Sequence, residues 1–269
     1  MKRVLVIFLT VLIFMSCATL GFATVFRVDS VQVNPSTVSE EAKTEANELQ
    51  ALLEEAYRSE NTVFAKEDKA KTLVDSFPYF RLIAFKKSYP NRLIVEVAED
   101  AEVYAVEKSE NEYYILNAEG TVLGIREHYR NRADTTGKEY NVLLSGFTAT
   151  GNKGEQLVGT GNYTYLLSVC KKADALLNGI RSNVVSVEIK GGASAETVMI
   201  KLKMREGVSL YVENPSALCE EKTEKAILYY MSQDGTGLTD QQRTRGAVIV
   251  YETVDGIECA YSDKDMPNE

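Results

Sequence analysis

The sequence predicts an α+β protein with a single N-terminal transmembrane helix, a small domain of the order β-α-α-β-β, and a larger mixed β domain with two helices. Three observations predict it. An uncharged apolar run extends from Val4 to Phe26. Two stretches with helical spacing of apolar residues precede a hairpin-like segment at 78–100, and longer alternating stretches follow from Ala101 onward. A chain of 269 residues is long enough for two such domains, each with its own core.

The apolar run from Val4 to Phe26 would form a helix roughly 35 Å long, enough to cross a hydrocarbon core of about 30 Å. Lys2 and Arg3 precede it, so the positive-inside rule predicts a cytoplasmic N-terminus and an extracytoplasmic remainder. Two alternatives remain. The small residues at 21–23 suit a cleaved signal peptide, and a lipoprotein would be acylated at Cys17, although "FMSC" fits that motif poorly. All three place most of the chain outside the cytoplasm.

The small domain begins with a strand in "FRVDSVQVN", which Pro35 ends. Apolar residues at three- and four-residue intervals then predict an amphipathic helix over 39–58, with Ser39 as its N-cap. A second, shorter helix continues to Phe77 and is stopped by Pro78. The order is therefore strand, helix, helix, and then a hairpin.

The hairpin at 78–100 consists of two alternating strands joined by a Tyr-Pro-Asn turn. Ile83 and Phe85 violate strict alternation in its first strand. One face must be buried, because a two-stranded ribbon alone is marginally stable in water. The predicted buried face holds Phe80, Leu82, Ala84, Leu93, Val95 and Val97, and the predicted solvent face holds Arg81, Lys87, Arg92, Glu96 and Glu99.

The larger domain combines long β patterns with two helices. The span from Thr148 to Gly161 is polar and glycine-rich, which predicts a loop, and Asn178-Gly179 predicts the end of the helix that follows it. A second helix is predicted in "SALCEEKTEKAILYYMSQD". The last hairpin turns at Val254-Asp255-Gly256, and residues 263–269 are predicted to be a flexible tail.

Composition argues against several functions. A formal charge of −9 and a pI near 5.0 argue against nucleic-acid binding, which depends on clustered basic residues. The glutamates at 107, 110 and 112, or at 220, 221 and 224, could supply a catalytic pair, but they lie in patterns typical of turns and exposed helix faces. His128 has no catalytic arrangement nearby. The sequence therefore predicts neither an enzyme nor a cofactor or metal site.

Three segments together resemble the FtsQ/DivIB family of bacterial cell-division proteins. They are "FRVDSVQVN", "NTVFAKEDKAKTLVDSFPYFRLIAFKKSYPNRLIVEVAEDAEVYAV" and "YYILNAEGTVL", and the likeness is strongest over residues 60–123. The hairpin of the third segment has Asn117 where the family usually has Asp, which preserves the turn chemistry. The chain departs from the family in its very short N-terminal tail and its long first helix.

The resemblance implies a cytoplasmic tail at 1–3, a transmembrane helix at 4–25, a POTRA domain at 26–98 and a β domain at 99–262. It also implies a non-enzymatic divisome scaffold located at the division septum. Its expected partners are bitopic coiled-coil proteins of the FtsB/DivIC and FtsL types, with a septal transpeptidase as a further candidate.

The resemblance further implies that a C-terminal β edge holds such partners through main-chain hydrogen bonds. The candidate contacts on that edge are Val248, Val250, Tyr251, Ile257, Ala260 and Tyr261, and a second candidate surface comprises Lys86, Lys87 and Tyr89. Because strands alternate faces, about half of the edge residues are expected in the core. Two other classes remain alternatives: an enzyme acting on cell-wall polymer, and another POTRA-type transport or assembly component.

Overall fold

The computed structural model of the protein describes residues 2–35, 40–131, 140–191, 197–232 and 235–265. The chain divides into two compact units, residues 1–100 and 101–269. One N-terminal apolar helix, a small sheet with helices and a large mixed sheet confirm the predicted α+β fold class.

The first unit follows the predicted order of a strand, two helices and a hairpin. The elements are α1 (Lys2–Val25), β1 (Ser30–Pro35), α2 (Glu40–Tyr57), α3 (Glu67–Val74), β2 (Phe80–Ser88) and β3 (Arg92–Glu99). The strands form a sheet in the order β1-β3-β2, with β1 parallel and β2 antiparallel to β3. The predicted N-cap Ser39 lies outside the described residues.

Helix α3 ends before the predicted Phe77. A turn hydrogen bond from Phe77 N to Val74 O, 2.9 Å long, replaces the helical pattern there. Helix α2 packs on the sheet through Leu49, Leu53 and Tyr57, which are fully buried. Helices and sheet thus bury the core that the hairpin lacks alone.

A β-bulge in β2 corrects the predicted faces of the hairpin. The register shifts between Leu82 and Ala84, so Ile83 is an extra residue and is 56% exposed. Beyond the bulge Phe85 pairs with Val95, and Lys87 pairs with Leu93, which is buried. The predictions that Ala84 faces the core and Lys87 faces solvent were therefore wrong, because one inserted residue exchanges the two faces.

Helix α1 is the one helix in the described ranges that is long and apolar enough to cross a membrane. Its qualifying segment runs from Ile7 to Val25. That criterion rests on length and composition, which a signal sequence also satisfies.

The second unit is built on a large mixed sheet. In its described residues, nine strands pair in the order β14-β13-β12-β11-β10-β7-β4-β5-β6. The elements are β4 (Tyr104–Ser109), β5 (Glu112–Leu116), β6 (Val122–Arg126), β7 (Val142–Ser145), β8 (Ala149–Thr150), β9 (Val158–Gly159), α4 (Tyr163–Leu177), α5 (Ile180–Asn183), β10 (Val184–Lys190), β11 (Met199–Met204), β12 (Ser209–Glu213), α6 (Cys219–Met231), α7 (Asp240–Arg243), β13 (Ala247–Thr253) and β14 (Gly256–Ser262).

Most predicted elements of this unit are present. The predicted loop from Thr148 to Gly161 contains the short pair β8 and β9, which were not expected. Asn178 ends α4 in the left-handed conformation with φ of 57°, as predicted. Asn117 makes the predicted turn, because its Oδ1 accepts hydrogen bonds from the backbone N–H groups of Glu119 and Thr121 at 3.1 and 2.8 Å.

Helices α4 and α6 pack against each other and against the sheet, where they bury one continuous core. Lys222 of α6 is 1% exposed, and its Nζ donates hydrogen bonds to the carbonyl oxygens of Glu213 and Asn214 at 3.0 and 3.2 Å. This buried ammonium ties the start of α6 to the end of β12.

The C-terminal segment is held more firmly than its predicted flexibility over 263–269 implies. The Asp265 carboxylate accepts hydrogen bonds from Lys201 Nζ at 2.8 Å, Ser209 Oγ at 3.1 Å and Tyr211 OH at 2.8 Å. The chain therefore folds back onto the sheet as far as Asp265, and residues 266–269 lie outside the described part.

Candidate partner-binding edge

The last strand of the chain, β14, forms one end of the large sheet. It pairs with β13 along seven residues without a register shift, and no strand of the described residues pairs with its outer side. An unpaired edge presents backbone N–H and C=O groups that an extended segment of another chain can bind.

The turn before β14 decides which backbone groups face outward. Thr253 and Gly256 are paired and flank a two-residue turn, so they form a hydrogen-bonded pair in the ladder. Hydrogen-bonded pairs recur at every second residue. Ladder bonds therefore use the backbone groups of Gly256, Glu258, Ala260 and Ser262, whereas those of Ile257, Cys259 and Tyr261 point to the open side.

The structure separates the predicted contact residues into two groups. Val248 and Val250 are 0% exposed and belong to the core, so the prediction that their side chains contact a partner was wrong. The alternation of β13 turns them toward α6. The remaining four lie on the hairpin at its surface: Tyr251, Ile257 and Tyr261 are half-buried, and Ala260 is exposed.

Cys259 is a residue of this edge that the sequence reasoning missed. Its backbone faces outward at the centre of β14, and its Sγ lies 3.9 Å from the carbonyl oxygen of Lys225 in α6. The Asp-Gly turn could have identified it, because the turn position fixes the phase of the ladder. Burial raises the pKa of the Cys259 thiol to about 11 against the lowering effect of Lys225, so the thiol is protonated at neutral pH.

Local packing holds β14 in place. Gly246, before β13, has φ of 80°, and a Cβ there would lie 2.2 Å from the carbonyl oxygen of Ser262. Only glycine fits this approach. Next to this glycine, the carbonyl oxygen of Arg245 accepts a hydrogen bond from Tyr261 OH of β14 at 3.3 Å.

A groove of about 530 Å³ borders the same end of the sheet. Leu228 and Met231 of α6 line it and are 50% and 42% exposed. Lys225 connects the groove with β14 through its contact with Cys259. A strand added to β14 would bring every second side chain to this helix side of the sheet.

The opposite end of the large sheet is partly covered. A loop lies along β6, where Val122 N donates to Glu155 O at 2.9 Å and Gly154 N donates to Val122 O at 2.8 Å. Thr121 also forms a bridge with Gln156. The outer groups of β6 are thus partly used within the protein, unlike those described for β14.

The second predicted surface does not form one basic patch. Lys86 Nζ pairs with Glu96 at 2.6 Å, and Lys87, which points to the opposite face, donates from Nζ to the carbonyl oxygen of Val63 at 2.8 Å. Tyr89 is 59% exposed at the turn of the hairpin. The three residues are near in sequence, but the strand sends the lysines to different faces.

Two of the glutamates considered for catalysis, one in each cluster, form ion pairs at the surface. Glu112 pairs with Lys108 at 3.0 Å, and Glu224 pairs with Lys172 at 2.6 Å. The Glu112 pKa is lowered by hydrogen bonds from Lys108 and Ser109. His128 is exposed. Within the described ranges, no group of three or more His, Cys, Asp or Glu residues is arranged to hold a metal ion.

Comparison with known proteins finds similarity among solved structures only. No family model matches the sequence, and no curated protein matches it. Among solved structures, the chain is similar to the major extracytoplasmic domain of the trans isomer of the bacterial cell division protein DivIB from Geobacillus stearothermophilus. That match has a TM-score of 0.29 and 11% sequence identity, and it covers 51% of this chain and 97% of the other.

Proposed function

We propose that the protein is a membrane-anchored, non-enzymatic component of the bacterial divisome, of the FtsQ/DivIB type. The motifs over residues 60–123 and the order of elements in both units support this proposal. In this reading, residues 26–98 form a POTRA domain and residues 99–262 form the β domain. Helix α1 remains in the cytoplasmic membrane with its N-terminus in the cytoplasm, and both domains act outside at the division septum.

The observation that carries the proposal is the open, regular edge of β14. An extended segment of a partner would add to it as a further strand, with main-chain hydrogen bonds to Ile257, Cys259 and Tyr261. The partners proposed are bitopic coiled-coil proteins of the FtsB/DivIC and FtsL types, and a septal transpeptidase would join the complex through them. The side chains of Tyr251, Ile257, Ala260 and Tyr261 would then contact the added strand.

A pair of variants at Cys259 tests main-chain recognition. Cys259→Pro removes the outward N–H and leaves the hairpin ladder intact, since that N–H is not a ladder donor. Cys259→Ala keeps the N–H and removes the thiol. We expect co-purification of the coiled-coil partner from solubilised membranes to be lost with proline and retained with alanine.

Circular dichroism and thermal unfolding of both variants provide the control for folding. Equal partner binding by two folded variants would reject recognition through the edge. A fluorescent fusion tests the cellular role separately: rings at mid-cell are expected, and a uniform membrane signal would contradict a function in division.

A further inference from the structure

Four aromatic side chains cluster where α1 joins the rest of the first unit. Phe22, in the last turn of α1, lies 4.8 Å from Phe26 and 6.2 Å from Phe64, measured between ring centroids. Phe26 in turn lies 6.2 Å from Tyr89 at the β2–β3 turn. Three separate chain segments thus bring their rings to the end of the apolar helix.

Three of the four rings are exposed, although they are large. Phe64 is 70% exposed, Tyr89 is 59% exposed and Phe22 is 41% exposed. Exposed apolar surface of this extent is unfavourable in water, and a contiguous patch of it marks a contact with another apolar phase.

Backbone hydrogen bonds fix the cluster to the helix end. Thr62 N donates to Phe26 O at 2.7 Å, and Val28 N donates to Glu60 O at 2.9 Å, which ties the loop carrying Phe64 to the chain leaving α1. Asp29 N donates to the carbonyl oxygen of Asn91 at 2.8 Å, just beyond the Tyr89 turn. The depth of both loops therefore follows from the depth of α1.

The length of α1 sets that depth. Its 24 residues correspond to about 36 Å of helix, whereas the hydrocarbon core is about 30 Å thick. The last turn, with Phe22, therefore lies at the boundary with the lipid headgroups when α1 spans a bilayer. Phe64 and Tyr89 are held at the same level through the ring contacts.

We propose that Phe22, Phe26, Phe64 and Tyr89 form an interfacial anchor that seats the first unit on the outer leaflet of the membrane. This inference rests on the proposed retention of α1 as a transmembrane helix. Aromatic rings concentrate at membrane interfaces, where an apolar ring contacts acyl chains and a tyrosine hydroxyl reaches water. Lys87 lies beside the anchor, because its Nζ binds the carbonyl oxygen of Val63 next to Phe64. In this anchor, Tyr89 would contact lipid and not a protein partner.

The absence of tryptophan from the sequence permits a direct measurement of depth. Phe64→Trp and Tyr89→Trp each introduce a single reporter in the full-length protein, reconstituted into phosphatidylcholine vesicles with brominated acyl chains. The matched control is Ile83→Trp, on an exposed site six residues before Tyr89 and about 20 Å away along β2. A fourth variant, Phe14→Trp, reports on the middle of α1.

Quenching by brominated lipid should be at least about twofold stronger for tryptophan at positions 64 and 89 than at position 83, because only the anchor reaches the interface. Quenching by aqueous acrylamide should rank in the opposite order. Equal responses at 64, 89 and 83 would overturn the inference. The Phe14→Trp variant distinguishes failure of the transmembrane proposal from failure of the anchor. If brominated lipid does not quench tryptophan at position 14, the transmembrane proposal itself fails. If it quenches position 14 but neither position 64 nor position 89, the anchor alone is rejected.

Discussion

The edge strands β2 and β14 end different sheets and differ in how they are protected. Strand β2 is interrupted by the bulge at Ile83 and carries Arg81, Lys86 and Lys87. Strand β14 keeps an unbroken register, and Glu258 is its single charged residue. Bulges and lysines are devices that prevent edge-to-edge pairing of sheets. The comparison indicates that β2 is closed to a further strand, whereas β14 is suited to accept one.

Under the two proposals made above, the two hairpins have distinct roles. Regular edges can pair with other chains, so the edge that stays regular is the one suited to a partner strand. In the proposed function, β14 receives a partner strand, and in the proposed interfacial anchor the turn after β2 contacts the membrane. The two hairpins share local sequence patterns, but only one offers a continuous main-chain surface.

The largest effect is expected from Lys222, which holds α6 next to the β12–β14 end of the sheet. Lys222→Met leaves the carbonyl oxygens of Glu213 and Asn214 without their buried donor, so the free energy of unfolding should fall by about 2–4 kcal/mol. Chemical denaturation measures this loss. Lys225→Met, an exposed change on the same helix, should alter stability by less than about 0.5 kcal/mol, and equal losses in the two variants would contradict the assigned role.

Proline scanning tests the orientation of the β14 backbone. Glu258→Pro removes a ladder N–H that faces β13 and should cost about 2 kcal/mol of stability, whereas Cys259→Pro should cost less than about 1 kcal/mol. Thermal unfolding of the second unit provides the comparison. The opposite order would show that the ladder phase deduced from the two-residue turn is wrong.

Adding to β14 a lysine of the kind found on β2 should prevent a further strand from pairing with its edge. Ala260→Lys places a lysine on an exposed position, so stability should change by less than about 0.5 kcal/mol while partner affinity falls about tenfold. Binding can be followed by titration with the solubilised partner. The control is Lys86→Ala on β2, for which we expect unchanged affinity; a loss there would mean that β2 also contributes to binding.

The smallest effect concerns Asp265, which fixes the chain after β14. Burial alone would raise the pKa of Asp265, but hydrogen bonds from Lys201, Tyr211 and Ser209 outweigh it and lower the pKa below its ordinary value of 3.8. A carboxyl group whose pKa is lowered in the folded state stabilises the fold at pH values above its pKa in the unfolded state. This contribution is lost as the pH falls through the pKa of the folded state.

Asp265→Asn should therefore be less stable than the natural protein at pH 7 by under about 1 kcal/mol, because the site is partly exposed. The deficit should shrink as the pH falls below the ordinary carboxyl pKa. Unfolding curves at pH 7 and near pH 3 measure it, and a deficit independent of pH would show that the contribution is not ionic.

Local sequence signals predicted the elements well where a single residue type controls the backbone. Asn178 ended α4, Asn117 made its turn, and the Asp-Gly turn placed the last hairpin. Prediction failed where pairing with a neighbouring strand of the same sheet decides which face a residue occupies. The Ile83 bulge looked like a defect in alternation, and the pairing with β3 alone shows which residues exchange faces.

The sequence by itself determined the apolar helix, the main helices and strands in their chain order, and the position of the last hairpin turn, because these depend on neighbours within a few residues. Tertiary structure alone decided that β14 ends the sheet, that Val248 and Val250 are buried under α6, and that Asp265 is bound by Lys201. It also decided that Phe22 contacts Phe64 and that Phe26 contacts Tyr89. Such contacts join residues far apart in the chain, and their free energy comes from burial and pairing that only the folded arrangement provides.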